Sequence, residues 1–362
     1  MKYILGIDIG TTAIKAAVIG EDGEIYGTKT SEYPLTTLPS GEVEADLSLY
    51  EEAFKQSIKE SVKNARVPVK DIKCIGFSST AETCVFLDEN NKPLCKVIAW
   101  MDTRATKEAK ELTEQFEKQD IIKKVGFDGI YAIHPVSKIL AVKHKTPEIF
   151  EKTRMFAQIK DYFIFKLTGT YYTDHSTASD HGFFDITNRC YWKEMLAYTG
   201  IKEEYLPKLE EPGTELGMIS ESAAKEFGLD PQTKINVGAF DQGCGAIGAG
   251  NIKSGIASES TGSALVTVAT IDQLNPESKG WNVYDIIYTA PTFKEDGSYR
   301  THPTVTVIQN GVVLQNHTTI LGTTEWIGFP QVKKHGAGPI ILQSHGDPSE
   351  PISFRNIWIR EL

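Results

Sequence analysis

Five groups of residues in this chain have the types and spacing that phosphoryl transfer needs. Asp8-Ile9-Gly10-Thr11-Thr12 closes an apolar run with a carboxylate, a glycine and two hydroxyls. Ser260-Thr261-Gly262-Ser263 repeats the hydroxyl-and-glycine theme far downstream. Such turns aim backbone N–H groups and hydroxyls into one small space, which suits phosphate oxygens. Two of them suit the two ends of a triphosphate. Asp8 is placed to hold a hydrated Mg²⁺ beside the first turn. Asp241 ends the apolar run Ile235–Phe240 and precedes a small-residue segment, Gln242–Gly250. A lone carboxylate there can take a proton from a substrate hydroxyl. Glu82 lies in the polar loop Ser78–Thr83, and Asp102 stands two residues before Arg104. Phosphoryl transfer asks for little more than an orienting carboxylate, a metal and donors around the moving group.

The elements that position these residues follow from periodicity. Ile4–Ile9 and Ile14–Ile19 read as a β-hairpin, with glycine supplying φ > 0 in its turn. Ser31–Asp46 reads as a loop. Leu47, Tyr50, Phe54, Ile58 and Val62 recur at helical spacing. Ile72–Phe77 reads as a strand that delivers the Glu82 loop. Val85–Leu87 and Val97–Trp100 read as a second hairpin ending at Asp102. A charged helix then runs to about Lys118, and Ser137–His144, Lys160–Leu167 and Glu221–Phe227 read as helices. Ile235–Phe240 reads as one strand delivering Asp241. Strands at Ile256–Glu259 and Ala264–Ala269 flank the second turn.

The pattern changes near Asn275–Gly280. Beyond it, Tyr284–Tyr288, Thr304–Ile308, Val312–Gln315, Pro339–Leu342 and Ile352–Ile359 read as strands, with Asn310-Gly311 as a hairpin turn. The expected division is therefore 1–275, a linker at 276–280, and a β-rich segment at 281–362. Edge strands left exposed in such a segment would pair with another chain, a route to a homo-oligomer.

Composition excludes several classes. With 48 acidic and 38 basic residues the net charge is −10, so a nucleic-acid partner is not expected. The five cysteines include no C-x-x-C pair and read as reduced thiols of a cytoplasmic protein. No stretch reaches the ~18 apolar residues of a membrane helix. Asp174-His175 and Asp180-His181 have metal-ligand types, but the surrounding segment has another explanation.

That explanation is a resemblance. Asp8–Thr12, Trp100-Met101-Asp102-Thr103-Arg104, Lys160-Asp161-Tyr162, Leu167-Thr168-Gly169, Thr173–Ser179, Asp241-Gln242-Gly243 and Ser260–Ser263 resemble the FGGY carbohydrate kinases, in that family's order, over roughly residues 2–275. The resemblance implies an α/β chain with an actin-like (ribonuclease H-like) ATPase lobe, ATP as phosphate donor and a sugar or polyol as acceptor. It implies Asp241 as catalytic base, Asp8 near Mg²⁺, and Gly10, Thr11, Thr12, Thr261, Gly262 and Ser263 at phosphates. Glu82, Asp102 and Arg104 would meet sugar hydroxyls, with a surface ion pair as the other reading of Arg104. The chain departs from the family at Ala141, where the signature has Trp, and in Ala81-Glu82-Thr83, which lacks an arginine before the glutamate.

Residues 281–362 resemble a different family. Trp281–Tyr288, Val305–Val312, Gly338–Gly346 and Phe354–Ile359 resemble the C-terminal half of 3-keto-disaccharide hydrolase domains. This implies part of an all-β jelly-roll or concanavalin-like sandwich. Gln343, His345 and Arg355 would lie on a sugar-facing side or bond within the sheet. Nothing after Gly280 resembles a second kinase lobe, so weak nucleotide binding and low activity are expected. The alternatives are a non-catalytic carbohydrate-binding protein, in which Trp281, Tyr284, Trp326 and Trp358 stack on sugars, and a 3-keto-glycoside hydrolase-like activity in the tail.

Overall fold

Alternation in the first seven ordered residues starts the fold. Leu5, Ile7 and Ile9 point to one face and are buried, which a strand of period two demands. β1 (Tyr3–Ile9) turns back into β2 (Ala13–Gly20) and then β3 (Ile25–Glu32). Two short strands, β4 (Thr36–Thr37) and β5 (Val43–Ala45), lead into α1 (Leu47–Ala65). β6 (Ile72–Ser79), β7 (Cys84–Leu87) and β8 (Val97–Ile98) follow. Then come α2 (Thr106–Gln115), α3 (Lys118–Val125), α4 (Pro135–Lys145) and α5 (Pro147–Lys152). β9 (Met155–Gln158) enters α6 (Ile159–Thr168), and β10 (Tyr172–Asp174) enters α7 (His175–Ala178) and a 3-10 turn at Ser179–His181. β11 (Phe184–Asp185), β12 (Cys190–Tyr191), α8 (Lys193–Thr199), β13 (Lys208–Glu210), β14 (Glu215–Met218) and α9 (Glu221–Phe227) lead to β15 (Lys234–Asn236), β16 (Ala239–Phe240) and α10 (Asp241–Gly248).

These coordinates are a computed structural model that describes residues 1–261, 265–272, 284–309, 312–322, 330–336 and 338. The chain divides into two units, Met1–Ile247 and Gly248–Leu362. In the first unit the main sheet has the order β14-β15-β6-β1-β2-β3, with β16 also on β6. β1 and β2 are antiparallel, whereas β6, β15 and β16 run parallel to one another. β1 and β6 are parallel, so their C-terminal ends, carrying Asp8 and Ser78, lie side by side. The apolar stripe of α1 packs on β2 and β3, and Phe54 stacks 3.9 Å from Phe163 between ring centroids. A second core gathers Leu112, Ile121, Ile139, Leu140, Phe183 and Trp192 around α4.

Several expectations changed. β3 was not foreseen, and β4 and β5 lie within the expected loop. β7 pairs with β8 only at Cys84 and Ile98, and its main partner is β9, over four residue pairs. The second hairpin is therefore a non-local sheet, which short-range turn signals cannot reveal. The charged helix breaks at Phe116, which is extended, and α3 follows. The strand expected over Ile235–Phe240 is two pieces, because Gly238 adopts φ +72°. A Cβ at Gly238 would lie 2.1 Å from the Phe77 carbonyl oxygen. Gly10, by contrast, is not among the glycines with positive φ. Its use is close approach, since a Cβ there would meet the Ala13 oxygen at 3.1 Å.

In the second unit β17 (Ala257–Thr261) pairs antiparallel with β18 (Leu265–Ala269). β19 (Tyr284–Thr289), β20 (Thr292–Phe293), β21 (Tyr299–Thr301), β22 (Thr304–Gln309) and β23 (Val312–Thr319) complete its described strands, with the order β19-β22-β23 in one sheet. The expected linker 276–280, the Asn310-Gly311 turn, the strands at 339–342 and 352–359, and Trp281, Trp326, Gln343, His345, Arg355 and Trp358 lie outside the described residues.

Candidate active site

The site is built where the parallel strands β1, β6 and β16 end. Asp8 is the next-to-last residue of β1 and faces the end of β6, where the Ser78 hydroxyl donates to its Oδ1 at 3.0 Å. Lys15, across the hairpin, lies 3.4 Å from its other oxygen. The Gly10 amide donates to the Ala13 carbonyl at 3.0 Å, which tightens the turn and removes one donor from the expected phosphate cradle. The Thr11 and Thr12 amides, outside any strand, have no acceptor within the described residues. The Trp100 indole donates to the Thr11 hydroxyl at 2.9 Å, joining the hairpin turn to the Asp102 loop.

β16 reaches the same end of the sheet through Ala239 and Phe240, which sit opposite Ser78 and Ser79. Asp241 follows at the start of α10. The Phe240 amide donates to the Ser176 hydroxyl at 3.0 Å. Ser176 is in turn fixed by Asp174, the N-cap of α7, which also binds the buried Lys160 ammonium. This chain of bonds fixes the backbone on which Asp241 sits. The Asp241 Oδ1 is buried without a hydrogen-bond partner. Burial, aided by the charge of Asp8, raises its pKa to about 6.

Glu82 follows β6 in a left-handed conformation, φ 65°, which a non-glycine residue adopts only when its surroundings hold it there. Its amide donates to the Gln158 side chain at 2.6 Å. Its carbonyl accepts from Lys138 at 2.8 Å, and the same ammonium donates to the carbonyls of Ala99 at 2.9 Å and Trp100 at 3.0 Å. Only a protonated amine has three donors, so Lys138 is an ammonium that ties two loops together. It is fully buried on α4. Burial pushes the Glu82 carboxyl well above the carboxylate range, and Asp180 and Asp241 push it further; Lys138 opposes them.

Asp102 is fully buried with both oxygens engaged. It accepts from the Val43 amide at 2.6 Å and from the Arg104 guanidinium at 2.7–2.9 Å. Arg104 also reaches Glu44 at 3.0 Å. The two expected substrate residues thus bind each other and brace the Trp100 loop. Thr261 ends β17 in the second unit, and its side chain, with Gly262 and Ser263, lies outside the described residues.

One residue of the site was missed as such in the sequence. Asp180 lies in the 3-10 turn after α7, where it read only as half of a weak Asp-His metal pair. Its neighbour is Asp241: burial first, then that charge, raises its pKa to about 7. The signal was the position itself, one turn past the Asp174–Ser176 support of β16. No group of three or more metal-ligating side chains is found among the described residues. All five cysteines are unpaired.

Comparison with known proteins shows the family. The model of the N-terminal domain of the FGGY family of carbohydrate kinases matches residues 3–248. That of a 3-keto-alpha-glucoside-1,2-lyase-like domain matches residues 226–360, overlapping the first over 226–248 and starting upstream of residue 281. A xylulose kinase of Bacillus subtilis is 32% identical over 282 residues, covering 77% of this chain and 56% of the relative. A gluconokinase of the same organism is 32% identical over 281 residues, covering 77% and 54%. The crystal structure of a ligand-bound xylulose kinase from Lactobacillus acidophilus superposes with a TM-score of 0.69 at 26% identity, covering 84% of this chain and 60% of that one. The chain spans about half the length of the curated relatives it matches.

Proposed function

Because the chain belongs to the FGGY family of carbohydrate kinases, with an actin-like lobe in a mixed α/β chain and a β-rich C-terminal region, we propose that it carries the sugar-binding and base-bearing half of an ATP-dependent kinase acting on a sugar or polyol hydroxyl. The observation that carries this reading is Asp241, a half-buried carboxylate whose inner oxygen has no partner and whose pKa is about 6. It is the base: near neutral pH it is ionised and able to take the proton of an attacking hydroxyl. Glu82 faces the sugar, and Asp102 and Arg104 border it through the loop they brace. Thr11 and Thr12 offer free amides to phosphate oxygens, with Gly10 shaping the turn. Thr261, Gly262 and Ser263, of which Gly262 and Ser263 lie outside the described residues, stay the candidates for further phosphate contacts by sequence alone.

The residues present fit a hydrated Mg²⁺. Asp8 is partly exposed and keeps lone pairs beyond its bonds to Ser78 and Lys15, and this ion normally keeps several waters and binds few carboxylates. When bound it would neutralise charge on the transferred phosphoryl group. No described helix is long and apolar enough to cross a membrane; a cytoplasmic setting, where ATP is abundant, suits the proposal. We keep the kinase part at 1–275, ahead of a linker at 276–280 and a β-rich part at 281–362. Alignments of about 280 residues to the curated kinases run past the first unit. The match over 226–360 favours a second reading for the tail, lyase-like chemistry on a 3-keto glucoside.

The test is ATP consumption with a panel of ketoses, polyols and aldonates. Asp241→Asn is expected to lower turnover by roughly 10²–10⁴-fold with substrate binding retained. Full turnover in Asp241→Asn refutes the assignment of the base.

A further inference from the structure

The strand that delivers Asp241 is short and paired on one side. β16 is two residues long, and among the described strands it pairs with β6 alone. On its other side the neighbouring chain makes its last bonds before β16 begins, from the Val237 amide to the Thr214 carbonyl at 2.9 Å and from the Gly213 amide to the Gly238 carbonyl at 3.2 Å. The Phe240 amide therefore has no strand to donate to, and a backbone N–H away from water needs an acceptor. The Ser176 hydroxyl supplies it at 3.0 Å. Ser176 is not free to turn away, because its own hydroxyl hydrogen goes to Asp174, which leaves a lone pair for Phe240. Asp174 in turn accepts from the Ser176 amide at 2.9 Å, the Thr177 amide at 3.2 Å, the Thr177 hydroxyl at 2.6 Å and the Lys160 ammonium. Lys160 also donates to the Thr177 hydroxyl at 2.7 Å. Asp174 and Lys160 are both fully buried, and a buried charge pair whose remaining sites are satisfied is a rigid anchor. Asp241 stands one residue beyond Phe240. Its inner oxygen has no hydrogen-bond partner, so the backbone beneath it sets where that oxygen lies.

We propose that Ser176 is a positioning residue for the base: anchored by the Lys160–Asp174 pair, its hydroxyl takes the place of the missing strand beside β16 and holds Asp241 within reach of the acceptor hydroxyl. The proposal rests on the reading of Asp241 as base and deepens it by saying what keeps that base in place. A general base must lie within hydrogen-bond reach of the proton it takes, and a misplacement of about 1 Å costs roughly a hundredfold in rate. One hydroxyl bonded to one amide is a small part of the stability of the whole unit. Its loss is therefore felt in turnover before it is felt in unfolding.

The test compares wild type, Ser176→Ala and Ser176→Thr in the full chain, by steady-state kinetics with MgATP and D-xylulose or D-gluconate and by amide hydrogen exchange. Ser176→Ala is expected to lower kcat roughly ten- to a hundredfold with KM little changed, and to speed exchange of the Phe240 amide about tenfold while exchange along β6 and the urea midpoint stay close to wild type. Ser176→Thr keeps the hydroxyl and is expected to recover most of both losses. Unchanged kcat, or unchanged exchange at Phe240, in Ser176→Ala overturns the proposal and leaves the kinase reading in place. A fall in kcat that Ser176→Thr does not recover, or exchange that rises equally throughout the sheet, also overturns it alone. Absence of turnover by wild type with both acceptors counts against the kinase reading, and exchange at Phe240 then still decides whether Ser176 holds β16.

Discussion

Replacing Lys138 by Met keeps the length of the side chain and removes the ammonium. Three carbonyls, those of Glu82, Ala99 and Trp100, then lose a donor that is itself fully buried. An unsatisfied buried polar group costs about 1–3 kcal/mol, so three cost roughly 3–9 kcal/mol if nothing moves. Part of this is offset, because the ammonium itself was costly to bury and the loops can relax. A net loss of about 3 kcal/mol follows, or about 1 M in urea midpoint for a slope near 3 kcal/mol/M. Lys138→Arg is expected to fare little better, since a planar fork cannot address three carbonyls arranged around a point. The assay is urea unfolding followed by amide exchange, with faster exchange at 80–83 and 99–103 than in β1. An unchanged midpoint, or exchange that rises equally everywhere, would refute the view that this lysine ties the two loops.

Other outcomes follow from the same site. Asp180 has a native pKa near 7 against 3.8 for the free side chain. A raised carboxyl costs stability as pH climbs from the unfolded value to the native one. Asp180→Asn is therefore expected to be more stable than wild type at pH 8, by on the order of 3 kcal/mol, with the difference fading towards pH 4. Thermal unfolding across that range checks it, and a difference that grows on acidification contradicts the assigned direction. Gly238→Ala is expected to cost about 2–4 kcal/mol and to weaken sugar binding, because its methyl would collide with the Phe77 carbonyl and its φ is positive. Denaturant midpoints and calorimetry test this. Turnover is expected to rise with pH through about 6 as Asp241 ionises; a flat profile over pH 5–7 speaks against it as base.

The sequence by itself determined the hairpin of β1 and β2, the helices α1, α4, α6 and α9, a β-rich C-terminal region and the family. Each of these is written in local period, turn residues or a contiguous motif. It also supplied Asp8, Glu82 and Asp241 as candidates, since each ends or follows an apolar run. Tertiary structure decided the rest, because the deciding contacts join residues far apart in the chain. β7 takes β9 as its main partner, some seventy residues away, instead of the nearer β8. Asp102 is spoken for by Val43 and Arg104, which no motif announces. Asp180 gains its character only where α7 brings it beside Asp241, and Lys138 gains its role only where two loops turn three carbonyls towards one buried nitrogen. A residue's type is local, but its burial, its partners and its proton affinity are set by what the fold packs around it.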